Sequence, residues 1–184
     1  MTESAGYATA QIAKRDQEIS RVKRVYGFQS SHELHFPAGR LDTVELSDII
    51  KGISSAVKTI KPHTVYVPYP GDIHTDHRVS FQAAISSCKS FRQASVKRLL
   101  AYETISETDF GLDPAYSPFK PNVFIDVSRF IAKKISILKN YESELGPFPF
   151  PRSVEAVKAL AVLRGAESGF KAAEAFMLLK EISV

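Results

Sequence analysis

The chain has 184 residues, 44% of them hydrophobic and 24% charged, with 24 basic against 20 acidic side chains and a net charge of +4. Such a chain is most simply one soluble domain over residues 1–184, long enough to bury a substantial core. The basic excess is too small to point to nucleic acid, and its one local cluster, Lys14, Arg15, Arg21, Lys23 and Arg24, reads as a solvated helix face. A single cysteine, Cys88, excludes a disulfide framework, fits a reducing compartment, and reads as a small buried residue rather than a nucleophile. No apolar run approaches the roughly 20 residues that span a bilayer, and no basic-then-apolar leader opens the chain. The expectation is a cytoplasmic protein with no membrane span.

Helical periodicity predicts a first helix over about Ala8 to Tyr26, with Gly27 as its stop. Glu33 to Phe36 reads as a short strand, broken by Pro37. Asp42 with Glu45 three residues on reads as a capping box for a helix carrying Leu46, Ile49, Ile50, Ile53, Val57 and Ile60, ended by Pro62. Thr64 to Tyr69 is a β-branched strand, followed by a His-rich turn and a helix over about Arg78 to Lys89. Leu99 to Tyr102 and Val123 to Val127 are further strands. Between them Ser106 to Pro121 is a long polar loop of the kind that often serves as a lid or binding segment. Ser128 is read as the cap of a helix through Tyr141, Gly146 to Pro151 as extended chain, and Ser153 as the cap of a helix through about Leu163. The type of the last element, Ala172 to Ile182, stays open. The alternation of strands and helices predicts an α/β fold with an open, mainly parallel sheet flanked by helices, and there is no internal repeat.

The chemistry concentrates in Tyr69 to Arg78, Tyr-Pro-Gly-Asp-Ile-His-Thr-Asp-His-Arg. His74 and His77 bracket Asp76 at a strand-to-helix turn, where open α/β sheets place ligands and reacting groups. Neutral imidazole is a common metal ligand, and a neighbouring carboxylate can fix its tautomer. Read without other information, the same three residues are also compatible with polar groups satisfied in a loop. His32, His35 and His63 read as loop or strand histidines, Asp109 and Asp113 as solvated loop carboxylates, and Phe148 and Phe150 as packing residues.

Gly71 to Arg78 resembles the His-x-Asp-His motif of the PIG-L/LmbE-like metal-dependent N-deacetylases. Pro37 to Asp42, Ile60 to Tyr66, Pro151-Arg152-Ser153, Arg164-Gly165 and Ala173 to Phe176 are similar to further stretches of that family, in order along nearly the whole chain. The resemblance implies a Rossmann-like fold, one bound divalent metal, usually Zn2+, and removal of an acetyl group from an N-acetylated amino sugar or sugar conjugate. It implies His77 as a metal ligand, His74 as the histidine that supports the tetrahedral intermediate, and Asp76 as the residue that orients a histidine, most plausibly His74. Arg40 and Arg152 are implied as residues that bind substrate or support the site wall. The family's His-Pro-Asp-Asp motif, source of its remaining ligands and its general base, has no counterpart here. The expectation is therefore a domain lacking its first strand-helix-strand unit, impaired or inactive as a catalyst, and able to bind metal only weakly. The competing expectation is a non-catalytic binding or scaffold relative, with a homo-oligomer formed through an open sheet edge as one arrangement. A nucleotide-sugar transferase is disfavoured because no Gly-x-Gly-x-x-Gly or P-loop pattern is present.

Overall fold

The computed structural model describes residues 6–183, and its elements follow the predicted order with a few instructive differences. The helices are α1 (Thr9–Tyr26), α2 (Leu46–Ile60), α3 (Thr75–Ser87), α4 (Ile131–Leu138) and α5 (Val154–Ser168). The strands are β1 (Thr64–Pro68), β2 (Arg98–Tyr102), β3 (Val123–Asp126) and β4 (Ala173–Glu181), in the sheet order β1-β2-β4-β3. The sheet is mixed. β1 runs parallel to β2 from Thr64 opposite Arg98 to Pro68 opposite Tyr102, whereas β2 and β4 are antiparallel. The chain divides into two compact units, one of the described residues up to Glu33 with Phe124–Ala175, the other of Leu34–Val123 with the chain from Phe176 onward.

The second unit carries the His-rich turn. The apolar stripe of α2 buries Ile49 and Val57, and Val57 packs with Cys88, Val96 and Leu99. Val67 of β1, Ala84 of α3 and Ala101 of β2 form the adjoining cluster, with Leu100 of β2 fully buried. Burial pushes the Cys88 thiol above its ordinary pKa, which removes the thiolate that reacts. Cys88 should therefore resist a thiol reagent in native buffer and react at once in denaturant; stoichiometric labelling of the native protein would contradict this packing.

In the first unit Gly27 closes α1 in a left-handed conformation, and the Ser153 hydroxyl accepts from Ala156 N–H at 3.1 Å to cap α5. The basic cluster of α1 is largely spent on carboxylates: Lys14 pairs with Glu142, Arg15 with Glu18 and Glu144, and Lys23 with Glu33. Among the described residues no helix is long and apolar enough to cross a membrane.

Three elements differ from expectation, each for a local reason, and the one whose type was open is a strand. Glu33 to Phe36 forms no strand, and His35 adopts φ 53°, incompatible with extended pairing. Asp42 caps nothing; it lies in a 3-10 turn over Leu41–Thr43, and Glu45 precedes α2 without a side-chain cap. Ser128 bonds to Asp126 and Ala172 instead of capping α4, which starts after Phe130. The last element is a nine-residue strand, β4. Phe148 is 69% exposed, so it is not the packing residue expected, while Phe150 lies under the Arg152 guanidinium.

Candidate functional site

The site begins at the end of β1. Asp72 N–H donates to Tyr69 carbonyl at 3.2 Å, closing a turn through Pro70 and Gly71. Gly71 is needed there because a Cβ would run into the Tyr69 ring. The helix then starts three residues earlier than its apolar pattern suggests. His74 is the N-cap of α3: its Nδ1 accepts from Asp76 N–H at 3.1 Å, the bond a Ser, Asp or Asn cap usually makes. That early start puts Asp76 and His77 in the first helical turn, with the His74 and His77 rings stacked at 5.2 Å and 15°.

The hydrogen bonds give the two rings opposite states. An Nδ1 that accepts an N–H bond carries a lone pair, so neutral His74 holds its proton on Nε2. His77 Nδ1 lies 2.7 Å from Oδ2 of Asp72, a fully buried residue that as a carboxylate can only accept. Neutral His77 therefore holds its proton on Nδ1 and offers an Nε2 lone pair. One ring presents a donor, its stacked neighbour an acceptor.

Asp72 was not singled out by the sequence reading. Its second oxygen, Oδ1, accepts from the Thr108 hydroxyl at 2.6 Å, while Arg78 Nε donates to its main-chain carbonyl at 2.9 Å. The available signal was a carboxylate in a Pro-Gly-Asp turn, five residues before His77, where chain reversal into a helix lets the two side chains meet. The expected role of Asp76 changes accordingly. Its carboxylate is taken up by main-chain N–H groups, Oδ2 by Gly39 at 2.6 Å and Oδ1 by Leu41 at 3.0 Å. Asp76 orients His74 through its own N–H, and its side chain clamps the loop on either side of Arg40. Arg40 lies between these two anchored residues.

Arg152 belongs to the other unit and is engaged there. Its Nε donates to the Glu144 carbonyl at 3.0 Å, its guanidinium is 3.4 Å from the Glu144 carboxylate, and it lies over Phe150. The remaining histidines, His32, His35 and His63, are exposed, and the Asp113 carboxylate accepts from Ala115 N–H within its own loop.

His74, Asp76 and His77 share the lining of a cavity of about 410 Å3 with Leu34, Phe36, Leu41, Ile49 and Ile53. An apolar pocket with a few convergent polar groups is the usual form of a small-molecule site. Whether these side chains suit a divalent ion is a matter of counting donors. Both oxygens of Asp72 and both of Asp76 are engaged, as are Nδ1 of His74 and of His77. One nitrogen, Nε2 of His77, is left with a lone pair. Among the described residues no group of three or more His, Cys, Asp or Glu side chains is arranged to hold a metal. A catalytic zinc takes three protein ligands, so the donor set present does not fit the ion by itself.

Residues 2–88 match the model of PIG-L, GlcNAc-PI de-N-acetylase. A diacetylchitobiose deacetylase of Thermococcus kodakarensis is 25% identical over 176 residues, covering 88% of this chain and 61% of the relative, so the chain spans less than two thirds of that protein's length. The conserved protein TT1542 of Thermus thermophilus superposes with a TM-score of 0.72 at 24% identity, over 94% of this chain and 76% of that one. The N,N'-diacetylchitobiose deacetylase of Pyrococcus horikoshii, solved with its inhibitor MPG, superposes at 0.69 with 19% identity, over 91% of this chain and 64% of that one. These structural likenesses establish the shared fold. The segment that matches the GlcNAc-PI de-N-acetylase (PIG-L) family, residues 2–88, contains the His74, Asp76 and His77 turn.

Proposed function

We propose that the chain is a hydrolase domain of the N-deacetylase type, acting on the acetamide of an N-acetylated amino sugar or sugar conjugate, and that the side chains described here supply only part of its catalytic machinery. The observation that carries this reading is the pair of stacked imidazoles with opposite Nε2 states, beside an apolar cavity, in a deacetylase-family segment.

Hydrolysis of an acetamide adds water to the carbonyl carbon, builds negative charge on the carbonyl oxygen, and releases amine and acetate. His74 Nε2–H is a fixed donor suited to the carbonyl oxygen as that charge develops. Its orientation is set beforehand by the helix cap, so little reorganisation is needed during reaction. His77 Nε2 is the acceptor of the pair, and a buried carboxylate on the far nitrogen is the usual support of a metal-ligating histidine. Zn2+ is the ion the family resemblance implies, and His77 is the side chain here that would meet it. One imidazole holds such an ion poorly against water. With the donors of the described residues alone, zinc binding should be weak and turnover slow.

Titration of the purified chain with N-acetylglucosamine, glucosamine and N,N'-diacetylchitobiose, with amine release followed in parallel, tests the reading. The expected result is binding that depends on the acetamide, with slow release. Equal affinity for glucosamine and N-acetylglucosamine would refute acetamide recognition. Acetamide-dependent binding with no release at all would select the non-catalytic relative, which the small donor set also supports. Stoichiometric zinc with rapid turnover would refute the impairment.

A further inference from the structure

The loop between β2 and β3 is fastened to the His-rich turn at several points. Ile73 N–H donates to the Glu107 carbonyl at 3.1 Å, and the Tyr69 hydroxyl donates to the Ser117 carbonyl. The Arg78 guanidinium lies 5.5 Å from the centre of the Tyr116 ring. Gly111 sits so close to the Gly71 carbonyl oxygen that a Cβ would overlap it. At the centre of this contact is Thr108. Its hydroxyl accepts from Thr104 N–H at 2.8 Å and lies 2.6 Å from Asp72 Oδ1. A hydroxyl has one hydrogen. With a lone pair taken by Thr104 N–H and an acceptor-only carboxylate oxygen beside it, that hydrogen points to Asp72.

We infer that Thr108 is a positioning residue for His77, acting through Asp72: the loop delivers one hydrogen bond to Oδ1, which fixes the carboxylate plane and directs Oδ2 at His77 Nδ1. The bond directions run in one sense from Thr104 N–H through the Thr108 hydroxyl to Asp72, and the His77 N–H meets the same carboxylate from the other side. The outcome is that the Nε2 lone pair of His77 depends on a loop residue 31 positions further along the chain, as the numbering of His77 and Thr108 shows. Without that donor the carboxylate can turn, and the His77 ring loses the partner that selects its tautomer. The inference deepens the role given to His77 above. It does not need turnover to be tested, so its failure is separable from failure of the deacetylase reading.

The test is long-range 1H–15N correlation of the histidine rings at a pH where both are neutral, in the wild type, Thr108→Val, Thr108→Ser and Gly111→Ala, with the fold of each checked by circular dichroism. The wild type and Thr108→Ser should show His77 protonated on Nδ1, and Thr108→Val should show a mixture of tautomers or exchange broadening at His77 with His74 unchanged. Gly111→Ala keeps the hydroxyl but forces the loop off the turn, and should disturb His77 in the same way. It serves as the deciding variant if Thr108→Val does not fold. A His77 signature unchanged in folded Thr108→Val, or unchanged in Gly111→Ala, would overturn the proposal, as would failure of Thr108→Ser to retain the wild-type pattern.

Discussion

Asp72→Ala should lower the melting temperature by roughly 5–10 °C, the shift that follows from about 2–3 kcal/mol in a chain of this size. Asp72 is fully buried, and both of its carboxylate oxygens are engaged, by Thr108 and by His77. Truncation takes the acceptor from a hydroxyl and a ring N–H that are each partly buried, so each loss lies toward the low end of the about 1–3 kcal/mol for an unpaired buried polar group. An opposing effect has to be weighed, because burying a carboxylate is itself unfavourable and its removal gives back part of that cost. The remaining partners decide the sign: they keep their polar atoms in the variant while losing the acceptor. Asp72→Asn separates shape from charge. Thr108 and His77 meet different oxygens of Asp72, and an amide places an NH2 donor at one of those two positions, so it cannot take both hydrogens in place. Asp72→Asn should fold with a smaller loss of stability, yet reduce whatever His77 contributes to binding or turnover by about 10–100-fold, the usual cost of losing such a supporting group. Thermal melts of both variants, with sugar affinity and amine release, check this. A melting temperature unchanged in Asp72→Ala would show that the stranded partners cost no more than the burial of the carboxylate itself.

His74 replacements should divide structure from chemistry. In His74→Ala both the helix cap and the Nε2–H donor go, so stability should fall by about 1 kcal/mol and amine release by about 100-fold or more. In His74→Asn the cap is restored, because asparagine is among the best N-cap residues, but nothing replaces the donor that the imidazole carries at its far nitrogen. The expected outcome is a variant as stable as the wild type and still about 100-fold slower. Measured release in His74→Asn within a few-fold of the wild type would mean that His74 is a cap and nothing more.

Most of the fold was legible because its helices are amphipathic or capped in the usual ways. The stripe of α2, the Ser153 cap and the Gly27 stop all appear where pattern and residue type put them. The first turn of α3 was missed because its cap is a histidine, outside the usual set of capping residues, and the residues after it are chosen for the site rather than for an apolar face. Asp42 and Glu45 have capping-box spacing, but Asp76 holds Gly39 and Leu41 from a distance in sequence that no local pattern reveals. The same limit applies to Asp72 and Thr108. The histidines announce themselves by residue type and spacing, whereas their supports are ordinary residues made special by chain reversal and loop docking. The strand β4 was ambiguous because Ala173 to Leu179 has no clean alternation, being buried over much of its first half.

The two ring states can be read directly in the wild-type protein. A long-range 1H–15N spectrum at a pH where both imidazoles are neutral should show His77 protonated on Nδ1 and His74 protonated on Nε2, one acceptor and one donor facing the cavity. The same tautomer on both rings, or the assignment reversed, would contradict the site as described.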